Sequence, residues 1–204
     1  MIDLFYIQIF LIIILISQLI TFISPLIIVK LNGKDPHGLH TNYSTLARLT
    51  PISYFLLLLF IISYIFFINL IDIFWTFHFI YMDLLIFIGI VIVTSGLILE
   101  LLGILELGLN FRIELPKEKT ALITSGVYRL MRNPIAFSLY LLVFGIFLIS
   151  SNIFTLVILI LNVITFNAKV KCEESYLQEQ FGKNYEKYKK KVGRYLPFKI
   201  RKNN

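Results

Sequence analysis

Gly126-Val-Tyr-Arg-Leu-Met-Arg-Asn-Pro134 stands directly before two apolar runs, about 134–150 and 153–172, parted only by Ser150-Ser151-Asn152. Those two runs form a tight antiparallel helical hairpin, and the hairpin decides the fold. A helix of ~20 residues rises ~30 Å, about one hydrocarbon thickness. Going out along the first run and back along the second therefore returns Glu173-Glu174 to the depth of Arg132. Two polar segments far apart in sequence become neighbours.

Working outward from the hairpin, three further runs are long enough to span a bilayer: about 4–29, 51–71 and 83–107. Of the 204 residues, 58% are hydrophobic and 15% charged, with a mean hydropathy of +0.84. Soluble domains run nearer half apolar and a quarter charged, so the composition is that of a membrane protein. The run from Leu4 to Val29 exceeds the ~7–15 apolar residues of a signal peptide and lacks a basic lead-in. It reads as a retained transmembrane helix. Pro51 suits the first turn of the second helix. The single cysteine, Cys172, excludes an intramolecular disulfide, and no Cys/His pattern suggests a metal site.

The positive charges set the orientation. Lys30, Lys34 and Arg48 lie between the first and second runs, and Arg112, Lys117, Lys119, Arg129 and Arg132 between the third and fourth. The rest of the 19 Lys and Arg residues lie from Lys169 onward. The connections at Asp72–Asp83 and Ser150–Asn152 have none. By the positive-inside rule the N-terminus is outside and the C-terminus cytoplasmic. The expected fold is an all-α integral membrane protein of five transmembrane helices, the last two a helical hairpin. A cytoplasmic amphipathic C-terminal helix follows. In it Tyr185, Tyr188 and Val192 sit at helical spacing among Lys183, Lys187, Lys189, Lys190 and Lys191, a pattern suited to anionic lipid headgroups. The net charge of +7 comes with no RNA- or DNA-binding motif, so no nucleic-acid partner is expected.

The order Gly-x-Tyr-x-x-x-Arg-Asn-Pro, hairpin, Glu173-Glu174, Phe181-Gly-x-x-Tyr-x-x-Tyr188, then Gly193-Arg-x-x-Pro197 resembles the isoprenylcysteine carboxyl methyltransferases and their phospholipid-methyltransferase relatives. The likeness covers roughly 107–197, including Gly108-Leu-Asn-Phe111 and Leu122-Ile-Thr-Ser-Gly126. It implies a membrane-embedded enzyme that uses S-adenosylmethionine, bound at the cytoplasmic ends of the last two spans. Carried over, Gly126, Tyr128, Arg132, Asn133, Pro134, Glu173 and Glu174 would line the cofactor pocket, with Arg132 and Glu173 as the catalytic pair. On this reading residues 1–204 are one membrane domain. Residues 1–107 are the substrate side, 108–197 the methyltransferase core and 198–204 a basic tail.

The chemistry of these residues suits the cofactor. An arginine can bind a carboxylate bidentately, a glutamate the ammonium or the ribose hydroxyls, and Gly126 permits close backbone approach. Three positions depart from the family pattern: Asn133 stands for histidine, Ala136 for tyrosine and Ser138 for glycine. The acceptor would be a lipophilic or prenylated molecule approaching within the bilayer, in the cell membrane or the endoplasmic reticulum.

Other readings stand beside this one. A membrane NADPH-dependent reductase of the sterol or steroid type has a similar C-terminal arrangement, and a non-enzymatic small membrane protein is the third option. Arg129 and Arg132 also fit as topology-setting charges, Glu173-Glu174 as a solvated helix end, and Tyr128, Tyr185 and Tyr188 as interfacial tyrosines. Glu100, inside the third span, either faces the acceptor pocket or bonds a neighbouring helix. Asn162 and Asn167 read as inter-helix contacts. His37, His40 and His78 read as loop or interfacial residues, and Cys172 as a small apolar residue ending the fifth span.

Overall fold

The computed structural model describes residues 4–36, 43–75, 82–112 and 121–195. His37, His40, His78, Lys117, Lys119, Pro197 and the tail 198–204 lie outside them. The helices are α1 (Leu4–Leu31), α2 (Thr45–Arg48), α3 (Thr50–Trp75), α4 (Met82–Leu107), α5 (Pro134–Ser150), α6 (Ile153–Phe181) and α7 (Lys183–Lys191). Short 3-10 turns cover Gly108–Asn110 and Gly126–Arg129. Among the described residues four helical stretches are long and apolar enough to cross a membrane: Leu4–Leu31, Thr45–Phe67, Asp83–Asn110 and Ile153–Phe181. The expected fourth span, Pro134–Ser150, is a shorter apolar helix of 17 residues.

The bundle is apolar on its outside, as lipid requires, and its interior is an apolar core around Leu11, Ile14, Leu57, Ile61, Leu142 and Ile146 with a few polar side chains set into it. Side chains such as Phe5, Ile20, Phe55, Leu84, Leu105 and Ile160 are exposed, while Gln18, Ser53, Glu100, Asn162 and Thr165 are buried. In hydrocarbon an unpaired polar group is costly, so buried ones bond across helices. Asn162 Nδ2 donates to the Ser53 carbonyl at 3.1 Å and to the Ile158 carbonyl at 2.9 Å, and the Ser53 and Thr165 hydroxyls are 2.8 Å apart. These bonds join α3 to α6, the role expected for Asn162.

Glu100 resolves the same way. It accepts from Gln18 Nε2 at 2.7 Å and from Thr21 Oγ1 at 3.3 Å, and Tyr54 donates its hydroxyl to Gln18. Glu100 therefore ties α4 to α1 and, through Gln18, to α3. Asn167, by contrast, is half-buried and borders a groove between α2 and α6.

The closest helix pair is α4 with α5, and glycines allow it. A Cβ on Gly145 would fall 2.8 Å from the Gly89 carbonyl oxygen, and one on Gly89 equally close to the Gly145 carbonyl. A Cβ on Gly96 would lie 3.0 Å from the Ser138 carbonyl oxygen. Small residues at such crossings let backbones approach, as in membrane helix pairs generally. Ser138 fits for the same reason: it faces a glycine, and its hydroxyl bonds the Ile135 carbonyl at 2.6 Å.

The hairpin turn is as tight as its sequence implies. Ser151 takes a left-handed conformation (φ 41°), and Asn152 caps α6 by accepting from the Phe154 amide at 2.8 Å. Helix α6 then runs on through Glu173-Glu174 to Phe181, where Gly182 (φ 49°) ends it. One expectation changes at this point. The apolar side of α7 does not lie in lipid: Tyr185 is fully buried and Tyr188 nearly so, packed with Leu122, Leu177 and Phe181. Alternating lysines and tyrosines suit burial against lipid or protein alike, and here the partner is the chain's own 122–128 segment. The lysines of α7 stay exposed.

Candidate active site

Pro134 opens α5 at the first turn, where its missing amide N–H costs nothing. Asn133 precedes it at the cap position, yet its side chain does not cap the helix. It points across to α6, where Asn133 Nδ2 donates to Glu174 Oε1 at 3.2 Å. Arg132 joins the same oxygen, from Nη2 at 2.8 Å and Nε at 3.2 Å. Glu174 Oε2 accepts from Arg194 Nη2 at 2.5 Å. One carboxylate thus holds two guanidiniums and an amide. Both Arg132 and Glu174 side chains are buried, at 7% and 6% exposure, so the pair is little screened by water.

The hairpin therefore joins Arg132 to the Glu-Glu pair as its length implies, but through the second glutamate. Phe166, Val170 and Glu174 lie at successive i, i+4 steps on the buried face of α6. Glu173 lies 100° round the helix. Its carboxylate is 3.8 Å from Lys169 Nζ and sits beside the Tyr43 hydroxyl, with its side chain one-third exposed. Arg132 and Glu173, expected as one catalytic pair, are thus held by different partners.

A strap after α7 completes the cluster. The Arg132 amide donates to the Gly193 carbonyl at 2.9 Å and the Asn133 amide to the Arg194 carbonyl at 3.1 Å, with a parallel bridge between Met131 and Gly193. Arg132 Nη1 donates to the Val192 carbonyl at 2.6 Å and the Lys189 carbonyl at 3.2 Å. Tyr188 donates its hydroxyl to the Tyr128 carbonyl at 2.6 Å. The strap delivers Arg194, which was absent from the residues expected at the site. The Gly193-Arg194 pair in the family-like motif was the available signal. Hydrogen bonding to Glu174 raises the pKa of Arg194 further.

Gly126 also sits at the site, in a way its chemistry alone does not specify. Its φ is +49°, in the left-handed region that favours glycine, and an added Cβ would lie 1.9 Å from Glu106 Oε1. The space freed by the missing side chain is occupied by Glu106 of α4, which also accepts from Ser125 Oγ at 2.8 Å. Tyr128 is buried, and burial raises its phenol pKa, with the Glu173 and Glu106 carboxylates adding to the effect. The site thus has two electrical ends: two arginines on one carboxylate, and two carboxylates about Tyr128.

Aromatic rings wall the arginine end. Tyr195 stacks on Phe137 at 6.3 Å and meets Tyr140 edge-on at 5.3 Å, and Tyr140 in turn meets Phe166. The Tyr140 and Tyr195 hydroxyls are 3.3 Å apart. Tyr140 follows Ala136 by one helical turn, on the same face, so an aromatic hydroxyl stands one turn beyond the position where the family pattern has tyrosine. A groove of about 550 Å³ adjoins Gly126, lined by Leu102, Leu105, Glu106, Val127 and Leu130. A larger one of about 740 Å³ lies between α2 and α6, away from the arginine cluster.

A bundle of apolar helices whose connecting segments enclose a buried charge-paired cluster defines a multi-pass membrane protein. Residues 84–184, about half of the chain, match the phospholipid methyltransferase family. Two rice proteins, from Oryza sativa subsp. indica and subsp. japonica, are each named probable protein-S-isoprenylcysteine O-methyltransferase. Both are 34% identical to this chain over 121 residues, 55% of this chain and 61% of theirs. The Xenopus laevis protein-S-isoprenylcysteine O-methyltransferase is 34% identical over 115 residues, 54% of this chain and 40% of that protein. The chain thus spans less than two thirds of the length of these curated relatives.

Proposed function

We propose that the chain is a membrane-embedded methyltransferase that uses S-adenosylmethionine and acts on a lipophilic acceptor, such as the isoprenylcysteine carboxylate of its named relatives. The observation that carries this reading is the buried cluster of Arg132, Asn133 and Glu174, assembled from the two halves of the family-like pattern. Gly126, Tyr128, Pro134 and Glu173 complete the pocket.

The residues present fit such a donor. The cluster of two arginines and one glutamate carries a net positive charge, suited to a carboxylate. Glu106 and Glu173 about Tyr128 suit a cation. When bound, S-adenosylmethionine supplies a methyl group on a sulfonium. The protein's part is alignment and exclusion of water. Glu174 fixes Arg132 and Arg194, the strap 192–195 covers Arg132, and Tyr128 and Tyr185 close the interior side. A carboxylate acceptor needs no general base, and none is assigned. The groove beside Gly126 is apolar and borders exposed Leu102, Leu105 and Leu130, so a lipid chain can reach the site from the bilayer.

In this reading the chain crosses the membrane five times, N-terminus outside. The site and the basic face of α7 lie at the cytoplasmic surface, in the cell membrane or endoplasmic reticulum, where α7 lysines meet anionic headgroups. Residues 1–107 then shape the acceptor side and 108–197 the donor side. The test is transfer of a labelled methyl group from S-adenosylmethionine into the lipid and protein fractions of the native membrane. Label in a lipophilic acceptor, lost with Arg132→Ala, is expected. Label in neither fraction contradicts the reading.

A further inference from the structure

The donors of Arg132 are nearly all engaged. Of its five N–H groups, Nε and one on Nη2 go to Glu174, and Nη1 serves the Lys189 and Val192 carbonyls. Arg194 is different. Nη2 reaches Glu174, while Nε is buried and has no acceptor. Its side chain is one-third exposed, against 7% for Arg132, so it is the guanidinium a ligand can reach. Beside the cluster, Tyr185 is fully buried, and its O–H also has no acceptor. Burial pushes the phenol up to about 12, so the hydroxyl keeps its proton and remains a donor.

A buried donor without an acceptor is uncommon, because it forfeits its hydrogen bonds to water. Two of them lie against a cluster with one positive charge to spare. Together they have the chemistry of a seat for an anion. We propose that Arg194 and Tyr185 form the seat for the carboxylate at the amino-acid end of the methyl donor, while Arg132 serves to position Glu174 and the strap. The proposal rests on the methyltransferase reading above. It assigns ligand contact to two residues of the C-terminal strap region, and a role in holding that strap to the arginine of the Arg-Asn-Pro motif.

The test measures binding of two ligands to the full chain in phospholipid-free detergent micelles. S-adenosylhomocysteine carries the amino-acid end; 5′-methylthioadenosine shares the nucleoside and lacks that end. The wild type is expected to bind the first at least about tenfold more tightly. Tyr185→Phe should weaken S-adenosylhomocysteine about 3- to 10-fold and Arg194→Gln by more, with methylthioadenosine affinity unchanged in both. Because the Tyr185 O–H reaches no acceptor in the free protein, Tyr185→Phe should leave the thermal midpoint equal or higher. Equal weakening of both ligands, or a lowered midpoint in Tyr185→Phe, makes the role structural and overturns the proposal. A lipid phosphate shares the anion's chemistry. If added phosphatidylglycerol abolishes the preference for S-adenosylhomocysteine, the seat belongs to lipid and the proposal fails. Binding of neither ligand by the wild type removes the methyltransferase reading and the seat with it.

Discussion

Glu174→Ala is expected to destabilise the protein by about 3–5 kcal/mol, the usual cost of leaving a buried charge uncompensated. The substitution removes the acceptor of Arg132, Asn133 and Arg194 together. What remains is two guanidiniums facing each other, one of them only 7% exposed. The strap is held to the 131–133 segment partly through those same arginines, so the loss extends beyond a single pair. Glu173→Ala, one residue earlier, provides the comparison. Its ion pair with Lys169 is 3.8 Å long and partly exposed, and such pairs contribute about 1 kcal/mol or less. Thermal unfolding of both variants in detergent micelles checks the contrast. Similar losses for the two would contradict the assignment of Glu174 as the centre of the cluster.

Gly145→Val is expected to have the next largest effect. Its Cβ would fall 2.5 Å from Val93 Cγ2 and 2.8 Å from the Gly89 carbonyl oxygen, and backbone cannot yield as a flexible side chain can. Overpacking of this kind costs about 1–3 kcal/mol. The added γ-methyls press further on α4, so the upper end of that range is expected. Because α5 begins at Pro134, forcing α5 from α4 also displaces Arg132 and Asn133, and donor binding should weaken with stability. Phe144→Leu, at a lipid-facing position next in sequence, should change stability by no more than about 0.5 kcal/mol. Unfolding midpoints with S-adenosylhomocysteine titrations test both effects.

What the sequence disclosed and what it withheld divide along a physical line. The hairpin length, Pro134 at a helix start, Gly182 at a helix end and Asn162 between helices follow from local rules, and all are found. That the hairpin returns a glutamate to Arg132 follows from helix rise alone. Which glutamate needed the helix phase: the i, i+4 series Phe166, Val170, Glu174 was present in the sequence as a signal. Other features depend on long-range register, which local patterns do not encode. The strap returns to Arg132 through a single bridge at Met131–Gly193, and α7 could turn its tyrosines toward lipid or protein with equal amphipathicity. Gly126 announced a close approach but not its partner, Glu106.

On the proposed reading, the Arg132–Glu174 cluster and its strap hold a methyl donor. Titration of purified full-length protein with S-adenosylhomocysteine, alongside Arg132→Ala of verified fold, tests it most directly. Saturable binding by the wild type and its loss in Arg132→Ala is the predicted result. Equal binding by both proteins, or none by the wild type, contradicts it.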